Sequence, residues 1–145
     1  MNVLISACLL GQYCRYDGQV KVYPQVQDLL GRDDIHLIPV CPEQAGGLAT
    51  PRPPAERQGE RVVTADGTDV TAQYRRGAEA ALYLARLFHC TKAILKEKSP
   101  SCGHGQIYDG TFSRTLTAGD GVTAALLRAE GLEIVGEIVG ESDLL

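Results

Sequence analysis

Three short apolar runs, residues 3–6 (VLIS), 35–40 (IHLIPV) and 92–96 (KAILK), each pass directly into a loop bearing cysteine, glycine or proline. No other feature constrains the fold as tightly. Runs of this length, bounded by turn residues, suit buried strands and are too short for independent helices. Between them the apolar period changes. Residues 72–89 are rich in alanine and leucine at helical spacing and read as the longest helix; 121–130 read as another, stopped by Gly131. Residues 23–30 form a shorter helix ending at Gly31, and 133–139 a final strand. This alternation predicts a parallel sheet with helices packed on its faces. The expected fold class is therefore α/β: a three-layer domain with a mostly parallel, Rossmann-like sheet, plus a small β-hairpin. The hairpin is expected from residues 61–64 and 68–71, which flank Asp66-Gly67. Residues 50–60 (TPRPPAERQGE) read as an extended loop, and Pro39 as a weak point at the end of the second strand. A chain of 145 residues suits a single domain, residues 1–145.

In open α/β sheets, ligands bind at the carboxyl ends of the strands. Cys8 follows the first run, Cys41 the second and Cys102 the third, so this topology carries all three to one edge. Cys14 follows Cys8 in a C-x5-C loop. The opening MNVLISACLLG has no basic leader and reads as a strand, which makes the cytoplasm the expected compartment. Structural disulfides are not expected there, and five cysteines do not pair completely. Cys90, at the end of the long helix, reads as a buried apolar thiol. The other four sit in loops, where packing alone seldom asks for cysteine, and are candidate metal ligands. Iron and zinc both take thiolates. The paired C-x2-C knuckles of zinc sites are absent, but the pattern alone leaves both metals open.

Around these cysteines lie further candidates. Glu43, two residues after Cys41, is either a general base for water or a solvated loop carboxylate. Ser101, beside Cys102, can orient a substrate and move a proton, or cap a turn. Arg15, Arg52 and Arg57 lie in loops expected near the same edge, where they receive an acidic or phosphate group or remain solvated charge. His104 is a ligand, a substrate contact or a surface loop histidine. Arg15, Arg52 and His104 are retained as candidate substrate-binding residues. No phosphate-binding glycine motif is present; Gly103-His104-Gly105 is too weak to count. A net charge of −4 and a pI near 5.3 give no basic face for DNA. No apolar run approaches the ~20 residues of a membrane span.

The segments SACLLGQYCRYDG, PVCPEQAGGLATPRPPAE, DVTAQYRRGAEAAL and AILKEKSPSCGHGQIYDGTFSRTLTAGDGVTAALL resemble the bacterial thiouracil desulfidase (TudS-like) family. The likeness runs from residue 3 to about residue 137 and rests on long, specific motifs. It implies a [4Fe-4S] cluster held by only three cysteines, with one iron open to substrate sulfur. Cys102, through SPSCG, and Cys8, through SACLLG, are the first ligands it implies; the third is Cys41 or Cys14. It further implies Glu43 of the CPE motif and Ser101 as the catalytic pair. The expected activity is non-redox desulfuration of a small thiolated pyrimidine, thiouracil giving uracil and hydrosulfide. The alternative is a non-catalytic thiol module holding zinc or an electron-transfer cluster.

Overall fold

A computed structural model of the chain describes residues 1–137. In chain order, β1 (Asn2–Ser6) leads through a 3-10 turn (Ala7–Leu10) to α1 (Pro24–Leu30), β2 (His36–Val40) and the short α2 (Pro42–Ala45). Next come β3 (Ala55–Gln58), β4 (Arg61–Thr64) and the long α3 (Thr71–Leu87). β5 (Lys92–Ile94), β6 (Gln106–Tyr108), β7 (Leu116–Ala118), α4 (Val122–Ala129) and β8 (Glu133–Val135) follow.

The main sheet has four strands in the order β2-β1-β5-β8, every neighbouring pair parallel. β1 is interior, so Val3, Leu4 and Ile5 are completely buried. Side chains alternate across a strand, and the two faces collect different partners. Leu4 packs with Ala81, Leu82 and Ala85 of α3 and with Ala124 and Leu127 of α4. Val3 and Ile5 pack with Val26 and Leu29 of α1. The result is the three-layer α/β arrangement expected from the sequence. Burying each of these large aliphatic side chains contributes roughly 1.5–3 kcal/mol. Cys90 belongs to the α3/α4 core, as a small apolar thiol should. Pro39 does not end its strand: it pairs opposite Ile5, and because β2 is an edge strand its missing N–H interrupts nothing outside.

Three expectations need correction. Residues 50–60 are not extended loop throughout. The proline restriction ends at Pro54, and Ala55–Gln58 forms β3, paired antiparallel with β4 across a turn at Gly59 (φ +61°). The expected hairpin around Asp66-Gly67 is consequently the weaker arm. Gly67 takes φ +85°, and residues 68–71 join β4 through an isolated bridge between Val63 and Asp69, with Thr64 N–H to Thr68 carbonyl and Val70 N–H to Val62 carbonyl bonds of 2.9 Å, without forming a named strand. The antiparallel β6–β7 hairpin was not anticipated. Finally, β8 is shorter than the run 133–139; it ends at Val135, and residues 138–139 lie outside the described residues. Among the described residues no helix is long and apolar enough to cross a membrane.

Two glycines set the position of α2. A side chain on Gly77 of α3 would collide with the Pro42 carbonyl, and one on Gly46 with the Gln73 carbonyl. The backbones of α2 and α3 therefore touch directly, which fixes the helix turn that carries Glu43.

Candidate active site

The carboxyl ends of β1 and β2 and the loop after β5 open onto one cavity of about 530 Å³. Cys8, Cys14, Cys41, Cys102, Glu43, Arg15 and Arg52 all line it. Sequence placement alone had put these residues at one edge, and the geometry brings them together.

The 3-10 turn after β1 presents Cys8, which is partly exposed, and the following loop buries Cys14. Cys41 is the N-cap of α2, in extended conformation, with Pro42 at the first helical position. Proline is favoured there, because its missing N–H has no helical partner in any case. The Cys41 thiol lies 3.7 Å from the Cys14 carbonyl oxygen. The Cys14 thiol holds Cys8 and Cys41 below the ordinary thiol value, and is itself pushed far up by the same two contacts and by burial. Cys102 differs: burial first, then the charge of Glu43, pushes its thiol well up.

Glu43 projects from the first turn of α2 and pairs with Arg52 at 3.4 Å. Both side chains are nearly buried, Arg52 at 7% and Glu43 at 13% exposed, so the pair is poorly screened. Burial raises the Glu43 carboxyl above its usual value, and the Arg52 charge works against that rise. The rest of the guanidinium is also committed. Nη2 donates to the Cys14 carbonyl at 2.9 Å, and Nη1 donates to Thr50 Oγ1 at 3.2 Å and the Ala49 carbonyl at 3.3 Å. Arg52 thus ties the Cys14 loop to the carboxylate of α2.

The seat of Cys102 is built from hydroxyls and backbone amides. Ser99 Oγ accepts the N–H groups of both Ser101 and Cys102 at 3.0 Å, closing the turn that seats the cysteine. Ser101 is completely buried behind Cys102, not on the cavity surface. Its Oγ lies 3.9 Å from the Cys102 sulfur and 2.8 Å from Thr123 Oγ1 of α4, which is also completely buried. Gly121 packs so closely on the Ser101 backbone that a side chain there would collide with it.

Not every candidate converges. His104 lies outside the cavity lining, with Nδ1 3.6 Å from Asp120 and hydrogen-bonded to Arg128. Arg57 of β3 donates to the Asp120 and Gly59 carbonyls at 2.7 and 2.8 Å, away from the thiols. Other residues join the cavity that sequence reasoning did not single out: Ser6, Lys96, Lys98, Phe112 and Arg114. Ser6 and Lys96 stand at or just beyond strand ends, where the rule that located Cys8 applies equally. Burial works to lower the Lys96 ammonium, but its 2.8 Å pair with Glu137 prevails and raises it. Among described non-glycine residues with positive φ, Lys98, Phe112 and Arg114 all line this cavity.

The donor set suits an iron–sulfur cluster. It offers soft thiolates from separate loops, with no competing histidine on the wall. Among the described residues no trio of histidine, cysteine, aspartate or glutamate converges for a single metal ion.

The sequence model of the 2-thiouracil desulfurase family matches residues 3–138. The uncharacterized protein YbbK of Bacillus subtilis (strain 168) is 42% identical over 145 residues, covering 93% of this chain and 95% of its own. A solved structure named as the [4Fe-4S]-dependent thiouracil desulfidase TudS is 53% identical and superposes with a TM-score of 0.88. The match covers 94% of this chain and 90% of that one.

Proposed function

The chain belongs to the 2-thiouracil desulfurase family, and from that premise we propose that it is a [4Fe-4S]-dependent enzyme converting a thiolated pyrimidine to the oxygenated base and hydrosulfide. One observation carries the reading: four thiols and a buried, ion-paired carboxylate share one cavity at the carboxyl edge of the sheet. Residues 1–145 act as one domain. Its free thiols suit a reducing compartment, the cytoplasm.

Cys8, Cys41 and Cys102 are the proposed ligands, each supplied from beyond the carboxyl end of a different parallel strand. Cys14 is the alternative to Cys41. A cluster held by these cysteines would supply Lewis-acid activation of the carbon–sulfur bond. Glu43 takes a proton from the water that attacks this carbon. Arg52 holds the carboxylate in position through their 3.4 Å contact. Ser101, the other residue of the proposed catalytic pair, is completely buried and acts through its neighbour: backed by Thr123, its hydroxyl positions the Cys102 sulfur 3.9 Å away, and any orienting or proton-moving role toward the ring requires it to turn into the cavity. Arg15, its guanidinium 3.2 Å from Asp17, is the retained substrate contact. Exchanging C=S and water for C=O and hydrogen sulfide balances without electrons, so no reductant is required.

The test is anaerobic reconstitution followed by incubation with thiouracil. The expected result is uracil formation with stoichiometric sulfide release. Zinc without acid-labile sulfide in the purified protein would sink the proposal.

A further inference from the structure

Phe112 is one of two phenylalanines in the chain. It lines the cavity, half-buried, yet belongs to none of the three apolar clusters that form the core. Core packing therefore does not account for it. Its backbone takes φ +57°, in the left-handed region where a bulky side chain is an outlier. Strain of this kind persists only where the surroundings over-determine it, and it gathers at ligand clamps.

The surroundings here are specific. Glu56 of β3 accepts the N–H groups of Gly110 and Phe112 on one oxygen, at 3.0 and 3.1 Å. Gln58 donates to the Gly110 carbonyl at 2.8 Å. Gly110 has φ +91°, and a side chain there would collide with Gln58 and the Arg57 carbonyl. At the neck of the loop, the Asp109 N–H meets the Thr115 carbonyl at 2.9 Å. The loop between β6 and β7 is thus bolted to β3, and the bolt holds an aromatic ring at the wall of the thiol cavity.

We propose that Phe112 is the stacking platform for the planar ring of the substrate, and that Glu56 is the positioning residue that holds the platform in place. This rests on the thiolated-pyrimidine reading above. A flat heterocycle offers a π-face to an aromatic side chain whatever its ring substituents. A rigid platform therefore fixes the plane of the ring against the thiol cavity without reading those substituents, and groups at the ring edge set its rotation. Replacing the aromatic face by an aliphatic one should weaken ring binding about tenfold.

The experiment uses anaerobically reconstituted holoenzyme. In Phe112→Leu the KM for thiouracil and the calorimetric Kd for uracil are both expected to rise about tenfold, with iron and sulfide content at the parental level and kcat little changed. Phe112→Trp, which keeps a π-face, should retain parental values. Glu56→Ala should shift KM in the same direction as Phe112→Leu. An unchanged uracil Kd in Phe112→Leu overturns the platform, as does a Phe112→Trp enzyme as weak as the leucine variant. A parent that assembles its cluster but leaves thiouracil intact takes down the functional reading and the platform together. A parent that turns over thiouracil while Phe112→Leu keeps its KM removes the platform alone.

Discussion

The two walls of the cavity are built from opposite materials. The α2 wall is charged: Glu43 faces Arg52, and Arg52 reaches on to the Cys14 loop. The Cys102 wall carries hydroxyls and backbone amides, with Ser101 and Thr123 completely buried behind it. The first arrangement keeps a proton acceptor available inside a protein, where an isolated carboxylate would neutralise itself. The second gives up access to solvent in exchange for a fixed seat. Under the proposed function the labour divides: the wall with Glu43 is assigned the acid–base chemistry, and the wall behind Cys102 holds a sulfur still.

The comparison breaks most visibly at the cysteines. Cys102→Ser should abolish iron and sulfide incorporation, measured anaerobically per chain. Of Cys14→Ser and Cys41→Ser, one should do the same and the other should keep its iron. If Cys102→Ser holds a full cluster, the hydroxyl wall is not a seat for a ligand. Next in size, Glu43→Gln should preserve cluster content and lower kcat by roughly 10²–10⁴; an enzyme as fast as the parent would remove the charged wall's assigned role. Arg52→Ala leaves Glu43 buried without its cation, so apo-protein stability in urea should fall by about 3 kcal/mol. Should the urea midpoint stay put, the pair is not acting as a buried one. The smallest effect belongs to the hydroxyl wall. Thr123→Val keeps the shape of the side chain but strands the Ser101 hydroxyl, at a cost of about 1–3 kcal/mol. Its turnover should fall by less than that of Glu43→Gln, and the reverse order would make Thr123 more than a support.

Much of this was legible in the residues. The apolar runs are short and end in turn chemistry, so they gave a parallel sheet, and the strand-end rule then placed Cys8, Cys41 and Cys102 together without any local motif. The long helix and α4 followed from their period. What stayed hidden depends on distance in space. The partnership of Arg52 with Glu43 joins two loops that no periodicity links. Ser101 reads as a substrate-orienting hydroxyl or a turn cap, and only α4 packing over it shows that it is buried. The β6–β7 hairpin escaped because its legs are separated by residues 109–115 rather than by a two-residue turn. The left-handed backbone of Phe112 has no sequence signature, since phenylalanine avoids that conformation when nothing compels it.

The parallel pairing of β1 with β5 has a consequence for the order of events during synthesis. Parallel neighbours need long crossover connections, and Leu4 waits for Ala93, with α1, β2, α2, β3, β4 and the whole of α3 between them. On the ribosome, the thiols of Cys8, Cys14 and Cys41 emerge and can gather beside the β1–β2 pair while Cys102 is still untranslated. The last sulfur arrives on the loop after β5, and the α4 residues that back it come later still. With Cys102 among the ligands, as proposed, cluster assembly would be a step for the finished chain.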